Sequence, residues 1–476
     1  MKKNIVAVFW SFIDKVSYQV VTLVVGIILA RLLSPADFGL IGMLTIFINI
    51  SNVFIESGFS NALIRKLDVT EWDYSTAFYV NIGIGIIAYI ILLIISPWVA
   101  DFFKVSILTK LLCLIGINVL LNSLCIVQNA ILTSKLKIRT QTFINIGSQL
   151  PMGCIAIVMA YYGCGVWALA VQAVGYTLVR TLLFWYFAEW RPKTGFNRQS
   201  FYYLFHFGSK LVCANLLGTF FNEIYSLIIG KHLGGISLGL YTNARRLSEQ
   251  PSNLFSSMIS KVGIPLLSQH QNSSQELLDY YRRIIKWISF IMFPVMFLLI
   301  IIAKPLILLL CGIQWENCIP FFQILCLGFV WQPLGSINLS LLQVVNRTGT
   351  LLKLDVYKKI LLIIILLLSI RYGILGIVIG KALYDTLGTF INLSAAKRVL
   401  SYSYKQQLID IFKYLIVALL TMLIVSYLVW ELKIGIILTV FIFSLIYLLL
   451  GVVSRLSVCI QLRNFIVLCY ENRKNL

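Results

Sequence analysis

The sequence predicts an all-α integral membrane protein of about fourteen transmembrane helices, in two six-helix repeats followed by two further helices. Hydrophobic residues make up 59% of the chain and charged residues only 12%, against about 25% charged in soluble domains. The mean hydropathy is +0.91, and the apolar residues come in blocks of about 20, the length that crosses a bilayer as a helix. Runs such as 360–370 do not alternate, which disfavours barrel strands.

The predicted spans follow these apolar blocks along the chain. They lie near 11–33, 38–62, 75–98, 108–132, 142–162, 166–188, 207–230, 238–268, 284–310, 319–345, 356–372, 374–396, 411–430 and 434–453. Spans one to six form an N-terminal lobe over 1–200, and spans seven to twelve form a C-terminal lobe over 201–400. The last two spans and a cytoplasmic tail occupy 401–476.

A repeat relates the two predicted lobes. Segment 28–40 matches 228–240, where Ile28, Leu33, Gly39 and Leu40 recur unchanged and Arg31 recurs as Lys231. Pro97 and Pro305 correspond at an offset of 208 residues, as loop insertions would produce. Two similar halves in such an apolar chain are typical of secondary transporters.

The charge distribution predicts the topology. The formal net charge is +21, from 39 Lys and Arg residues against 18 Asp and Glu. Most of the basic residues fall in alternate loops, which the positive-inside rule assigns to the cytoplasm together with both termini. The basic balance therefore reflects membrane orientation, and no nucleic-acid partner is expected.

Several catalytic patterns are missing from the sequence. It contains no Gly-x-x-x-x-Gly-Lys-Ser/Thr phosphate loop, no Cys-x-x-Cys spacing and only three histidines, so ATP hydrolysis and a metal site are not expected. No nucleophile and base set can be assembled. We therefore expect no enzyme, no catalytic residues and no cofactor, and leave coupling to Na⁺ or H⁺ open.

Span one carries a polar stripe. Lys15, Tyr18, Gln19 and Thr22 follow the i, i+3, i+4, i+7 spacing of one helix face, and Asp14 lies beside it. Polar groups facing lipid are costly, so the stripe is expected to face a cavity. The alternative is that Asp14 and Lys15 extend to the headgroups.

Span eight carries the sharpest cluster of charges. Arg245, Arg246 and Glu249 lie within two turns, and neighbouring residues point about 100° apart. Glu249 is therefore expected to pair with Arg245, leaving Arg246 for a ligand, because an arginine fork suits phosphate oxygens. The alternative is an internal ion pair that holds the lobes together, with Glu223 as a further partner.

Other charges within the spans receive separate interpretations. Lys210 is assigned to a cationic cavity with Lys15 and the span-eight arginines, and Glu223 in the same span is a candidate for coupling or cavity polarity, as are Asp14, Gln19 and Glu249. Lys381 and Asp385 stand at i, i+4 and are expected to form a structural ion pair. Arg180 is expected to extend to the inner surface.

Two motifs resemble a known family. Residues 30–66 contain Arg-Leu-Leu-Ser-Pro-Ala-Asp-Phe-Gly-Leu and Glu-Ser-Gly-Phe-Ser-Asn-Ala-Leu-Ile-Arg, and residues 239–247 contain Gly-Leu-Tyr and Ala-Arg-Arg-Leu. They are similar to motifs of Wzx-type lipopolysaccharide and exopolysaccharide flippases. These belong to the polysaccharide transporter family, within the multidrug/oligosaccharidyl-lipid/polysaccharide exporter superfamily.

The resemblance implies a V-shaped fold of two lobes around a cationic cavity. It implies movement of an undecaprenyl-diphosphate-linked oligosaccharide from the inner to the outer leaflet of the bacterial cytoplasmic membrane by alternating access. Lys15 and Asp14 would match charged cavity positions of span one, and Arg245 or Arg246 would match the arginine that faces the diphosphate. The lower part of span one departs from the family in having a single lysine.

Two other functions fit the sequence less well. A cation-coupled multidrug exporter of the same superfamily would need net carboxylates in its cavity, and a membrane polymerase or ligase would need large outer loops. The expected partners are the lipid-linked oligosaccharide and membrane lipids, with a polysaccharide polymerase and glycosyltransferases as further candidates.

Overall fold

A computed structural model provides the coordinates of the protein. It describes the backbone of residues 2–56, 58–66, 68–135, 137–432 and 435–461. Within those ranges it describes no side chain for residues 2–16, Asn61, Phe207, Ser260, Val262, Thr348 or Arg398.

All regular secondary structure in these ranges is helical. The α-helices are α1 (Lys2–Leu32), α2 (Pro35–Glu56), α3 (Phe59–Arg65), α4 (Glu71–Phe103), α5 (Ile107–Ser134), α6 (Ile138–Tyr161), α7 (Val166–Phe187), α8 (Arg198–Met258), α9 (Ile264–Gln269), α10 (Ser274–Ile301), α11 (Ala303–Cys311), α12 (Ile319–Phe329), α13 (Gln332–Val344), α14 (Thr348–Ser369), α15 (Gly373–Leu400), α16 (Tyr404–Leu432) and α17 (Ile436–Val453).

The helices agree with the predicted spans. Eleven helical stretches among the described residues are long and apolar enough to cross a membrane, and Ser17–Leu32 is a shorter apolar helix. Two of the eleven each join two long helical segments across a break, at Gly234 within α8 and at the 3₁₀ turn Ile370–Tyr372 between α14 and α15. Each of these stretches corresponds to two predicted spans, so the prediction of a multi-span, all-α membrane protein is confirmed.

Residue contacts divide the chain into two compact units. Unit 1 comprises 1–242 and 310–314, and unit 2 comprises 243–309 and 315–476. The first boundary between the units follows residue 242, later in the chain than the predicted lobe boundary near residue 200. Contacts and the sequence repeat are different criteria, so the repeat-based lobes stay a prediction.

Unit 1 is a bundle in which α1 packs on α6, α6 on α7, and α5 on both α4 and α7. One of its cores contains Phe78, Val127, Trp190 and Leu204. The ring of Phe78 lies edge-on to Trp190, with ring centroids 5.8 Å apart, a favourable aromatic arrangement. This core fixes the beginning of α4 and the end of α5 against the segment that leads into α8.

Unit 2 is built around α10 and α15. Helices α12, α13 and α14 pack on α15, and α16 packs on α10 and α17. The fully buried Tyr281 donates its hydroxyl to Oδ1 of Asn338 at 2.6 Å. This bond satisfies two polar groups in the interior, where unpaired groups are costly.

The two copies of the repeated motif meet inside unit 1. A Cβ atom at Gly39 would overlap the carbonyl oxygen of Gly235, and one at Gly239 would overlap the carbonyl oxygen of Pro35. Gly39 and Gly239 are repeat equivalents, and so are Pro35 and Gly235. The contact is therefore reciprocal, as in a two-fold interface, and only glycine allows the backbones to approach so closely.

Candidate functional site

The arginine cluster of α8 lies in unit 2. Nε of Arg245 is 3.4 Å from Oε2 of Glu249, and the two side chains are 20% and 25% exposed. The predicted Arg245–Glu249 pair is therefore confirmed. The expectation that Arg246 would lack a partner is wrong, because Arg246 takes part in an interaction of its own.

A second ion pair in unit 2 lies near this cluster. Nζ of Lys381 donates to Oδ2 of Asp385 at 2.6 Å and also contacts Oδ1, so the predicted pair exists. Its structural role stays a prediction. Lys381 is 9% exposed and lies 5.2 Å from the ring centre of Phe329. Arg245 and Glu249 act electrostatically on Asp385, so the two ion pairs share one neighbourhood.

This neighbourhood carries an excess of positive charge. Arg245 and Lys381 supply two cations, Glu249 and Asp385 supply two carboxylates, and Arg246 adds a third cation next to Arg245 on α8. Coulombic interactions are stronger where water is scarce. An anionic ligand that reached these helices would therefore meet a net positive field.

The predicted coupling residue Glu223 lies in unit 1 and is hydrogen-bonded there. It accepts from Nδ2 of Asn49 and from the hydroxyl of Ser226, each at 3.3 Å. Asn49 is the repeat equivalent of Glu249. Both carboxylate oxygens of Glu223 therefore accept hydrogen bonds from neighbours within unit 1. The link from Glu223 to the span-eight ion pair stays a prediction.

Lys210 lines a cavity of about 730 Å³ in unit 1. Its Nζ lies 3.4 Å from Nε2 of His206, and Arg65 and Lys66 also line the cavity. Lys66 pairs with the buried Asp73 at 2.6 Å. The cavity is basic, although Asp68 also lines it. That Lys210 shares a cavity with Lys15 and the span-eight arginines stays a prediction.

The remaining predicted residues belong to α1. Gln19 is partly buried in unit 1. Asp14 and Lys15 lie outside the described side chains, although the helical backbone of α1 includes both positions. Their assignment to the cavity stays a prediction.

The prediction that Arg180 extends to the inner surface is wrong. Its Nε atom in α7 is buried and has no hydrogen-bond partner among the described side chains, rather than extending to the surface. The guanidinium lies 5.1 Å from the ring centre of Phe184. Glu56, Tyr176, Tyr18 and Cys125 are its electrostatic neighbours.

Tyr18 of the α1 polar stripe lies near this arginine. The rings of Tyr18 and Tyr176 have centroids 6.1 Å apart, and Tyr176 and Arg180 stand at i, i+4 on α7. Thr177 and Thr181 continue the polar character of that helix. This run of polar residues was the sequence signal that could have identified Arg180, because such residues within a span usually face protein or water.

The chemistry of these groups favours binding of an anion with polar substituents. A guanidinium donates paired hydrogen bonds to phosphate oxygens, and tyrosine combines an apolar ring with a polar hydroxyl. The described residues contain no group of three or more His, Cys, Asp or Glu side chains that could hold a metal ion.

Comparisons with known proteins place the chain in a family. The family described as "Polysaccharide biosynthesis protein" matches residues 28–320. Lipopolysaccharide biosynthesis protein WzxC of Escherichia coli K12 is 24% identical over 434 residues, which cover 90% of this chain and 87% of WzxC.

Two solved structures share the fold. The lipid II flippase MurJ in an inward closed conformation aligns with a TM-score of 0.76 at 17% identity, covering 94% of this chain and 99% of MurJ. An inward-facing multidrug resistance MATE transporter of the MOP superfamily aligns with a TM-score of 0.63 at 16% identity, covering 81% and 95% of the respective chains. Because the family match spans more than half of its length, this chain belongs to the polysaccharide biosynthesis protein family, and its fold is shared with MurJ and the MATE transporter.

Proposed function

We propose that this protein is a flippase for an undecaprenyl-diphosphate-linked oligosaccharide, the repeat unit of an O-antigen, capsule or exopolysaccharide. It would move this lipid from the inner to the outer leaflet of the bacterial cytoplasmic membrane by alternating access linked to an ion gradient. Both termini would lie in the cytoplasm, and a polymerase and glycosyltransferases would act on the same substrate.

The observation that carries the proposal is the surplus of arginine and lysine within the spans. Arg180 has a buried Nε without a hydrogen-bond acceptor among the described side chains, and the charges around Arg245 and Lys381 leave one cation in excess. An ionised side chain in a span costs at least about 2.5–3.5 kcal/mol. A diphosphate is a ligand that would offset this cost.

Family membership and relatives support the substrate class. The WzxC relative is named for lipopolysaccharide biosynthesis, and the MurJ neighbour is named as a flippase for lipid II. The charge of the spans favours an anionic substrate over the organic cations that a multidrug exporter would bind. We therefore rank the multidrug exporter second, on its fold similarity to MATE transporters.

Substitution of Arg246 tests the proposal in cells. Arg246→Ala, expressed at the normal level in cells that lack the chromosomal copy, is expected to block surface polysaccharide and to leave the lipid-linked oligosaccharide inside. Arg246→Lys should restore part of the function, because the charge remains without the bidentate fork. The matched control is Arg371→Ala, which removes an exposed arginine of the turn between α14 and α15. Normal surface polysaccharide in Arg246→Ala would exclude the proposed role of this residue.

A dye-efflux assay separates the two candidate functions. A flippase should give cells no resistance to cationic dyes and no gradient-driven dye export, whereas an exporter should give both. The coupling ion is identified by imposing a Na⁺ or an H⁺ gradient separately, with Glu223→Gln and Glu249→Gln as the first variants tested.

A further inference from the structure

A basic pocket lies in unit 2, separate from the ion pairs of α8 and α15. It has a volume of about 220 Å³ and is lined by the beginning of α10 and by the segment that follows α17. Asp279, Arg282, Arg283 and Lys286 supply its charged wall, and Ser457 and Gln461 belong to the opposite wall.

Buried polar contacts hold the walls of the pocket in place. Asp410 of α16 is 7% exposed; its Oδ2 accepts from Nε of Arg282 at 2.8 Å and from the hydroxyl of Tyr402 at 2.5 Å. Its Oδ1 lies 3.4 Å from Nζ of Lys286. On the other side, the hydroxyls of Ser457 and Tyr414 are 2.9 Å apart. The pocket is thus tied to α16 at two points.

The positive charge of the pocket exceeds its negative charge. Asp410 already accepts from Arg282 and interacts with Lys286, which leaves Arg283 as the additional cation. Arg283 is exposed, contacts the ring of Tyr280 at 5.4 Å and forms no ion pair among the described residues. The exposed Asp279 only partly offsets the three basic side chains.

The surrounding helices place the pocket at the depth of lipid phosphates. In α10 no charged residue follows Lys286 before Ile301, and α17 contains none from Ile436 to Val453. In α16 the stretch from Tyr414 to Trp430 is also uncharged. Such uncharged runs fill the hydrocarbon core of a bilayer. The pocket lies where three of these runs end, which is the level of the lipid phosphates.

We propose that this pocket binds the phosphate headgroup of an anionic phospholipid in the inner leaflet. A volume of 220 Å³ accommodates about seven water molecules, enough for a phosphate and part of its hydration but not for acyl chains. Basic pockets between helices on the cytoplasmic side suit anionic headgroups. The membrane supplies this phosphate at the right depth, which favours a phospholipid over a soluble anion.

Binding of phosphatidylglycerol to the purified full-length protein, followed by native mass spectrometry, tests the site. The variant is Arg283→Gln/Lys286→Gln, which leaves the Arg282–Asp410–Tyr402 contacts intact. The control is Lys135→Gln/Lys137→Gln, which removes the same charge from exposed positions at the end of α5. A parallel titration with phosphatidylcholine measures binding without headgroup charge, and unchanged thermal unfolding shows that the variants are folded.

The expected result is about 30-fold weaker phosphatidylglycerol binding in Arg283→Gln/Lys286→Gln, which corresponds to about 2 kcal/mol. Phosphatidylcholine binding and the control variant should change by less than twofold. Equal losses in both variants, or no loss in either, would overturn the assignment. Displacement of the lipid by millimolar inorganic phosphate would also overturn it and identify a site for soluble anions. None of these outcomes depends on the transport of oligosaccharide.

Discussion

Arg31 donates a hydrogen bond from Nε to the backbone carbonyl of Leu310 over 2.9 Å. The acceptor lies at the C-terminal end of α11, where unpaired carbonyl groups form the negative end of the helix dipole. Nε2 of Gln314 donates to the carbonyl of Ala30 at 2.7 Å. The end of α1 is therefore fixed to segment 310–314 within unit 1.

The second repeat contains the same relationship. Lys231, the equivalent of Arg31, donates from Nζ to the carbonyl of Phe102 near the end of α4. Phe102 and Leu310 differ by 208 positions, the offset that also relates Pro97 to Pro305. The first repeat thus supplies Arg31 to a helix end of the second repeat. The second repeat supplies Lys231 to the equivalent helix end of the first.

We predict that the two exchanged bonds are energetically coupled. Arg31→Ala and Lys231→Ala should each destabilise the protein by about 0.5–1 kcal/mol, the usual contribution of a cation at a helix C-terminus. The double variant should lose less than the sum, because breaking either bond loosens the same junction. Thermal unfolding of the purified protein measures this, with the exposed Lys110→Ala as control. Simple additivity would show that the bonds act independently.

The reciprocal glycine contact should be intolerant of any side chain. Gly39→Ala and Gly239→Ala are each expected to cost about 1–3 kcal/mol, because the new Cβ overlaps a backbone carbonyl that has no rotamer to change. Gly218→Ala in α8 is the matched control, since its Cβ would meet nothing within 4 Å and alanine favours a helix by about 1 kcal/mol. Unfolding temperatures should fall for the first two variants and hold or rise for the third. Equal stability of all three would contradict the close backbone approach.

Arg180 should be required for transport but not for stability. Arg180→Gln is expected to abolish surface polysaccharide while leaving the unfolding temperature unchanged or higher, because the guanidinium has an unsatisfied buried Nε. Arg180→Lys should retain partial transport. The exposed Arg371→Gln should change neither readout. A large fall in stability in Arg180→Gln, with normal transport per folded molecule, would show that the arginine is structural.

The Lys381–Asp385 pair should behave as a buried structural unit. Asp385→Asn leaves the Lys381 ammonium without its counter-ion and is expected to cost about 3–5 kcal/mol. The double variant Lys381→Met/Asp385→Asn should recover most of this stability and keep surface polysaccharide. A stable double variant that transports nothing would instead assign the pair to transport.

Features that depend on a single helix could be predicted from the sequence. The spans follow from apolar runs of bilayer length, and the pairs Arg245–Glu249 and Lys381–Asp385 follow from i, i+4 spacing. The repeat also singled out Gly39 and Gly239 as positions preserved in both copies.

Features that depend on which helices are neighbours could not be predicted. The position of Arg180 on α7 alone predicts an extension to the membrane surface, because it does not reveal Glu56 or Tyr18. The hydrogen bond from Asn49 to Glu223 and the exchange of Arg31 and Lys231 arise only when distant segments pack together. These tertiary contacts determine where charge is needed and where it is neutralised.

Reconstituted transport tests the central claim most directly. The purified protein is placed in liposomes with a fluorescent undecaprenyl-diphosphate-linked oligosaccharide in the inner leaflet and Na⁺ or H⁺ gradients of either direction across the membrane. Sugar that reaches the outer leaflet is measured by its accessibility to an external lectin. We predict gradient-dependent exposure with the wild-type protein and none above protein-free liposomes with Arg246→Ala. The same slow exposure in wild-type, variant and protein-free liposomes, with folded protein and several different oligosaccharides, would contradict the proposed flippase activity.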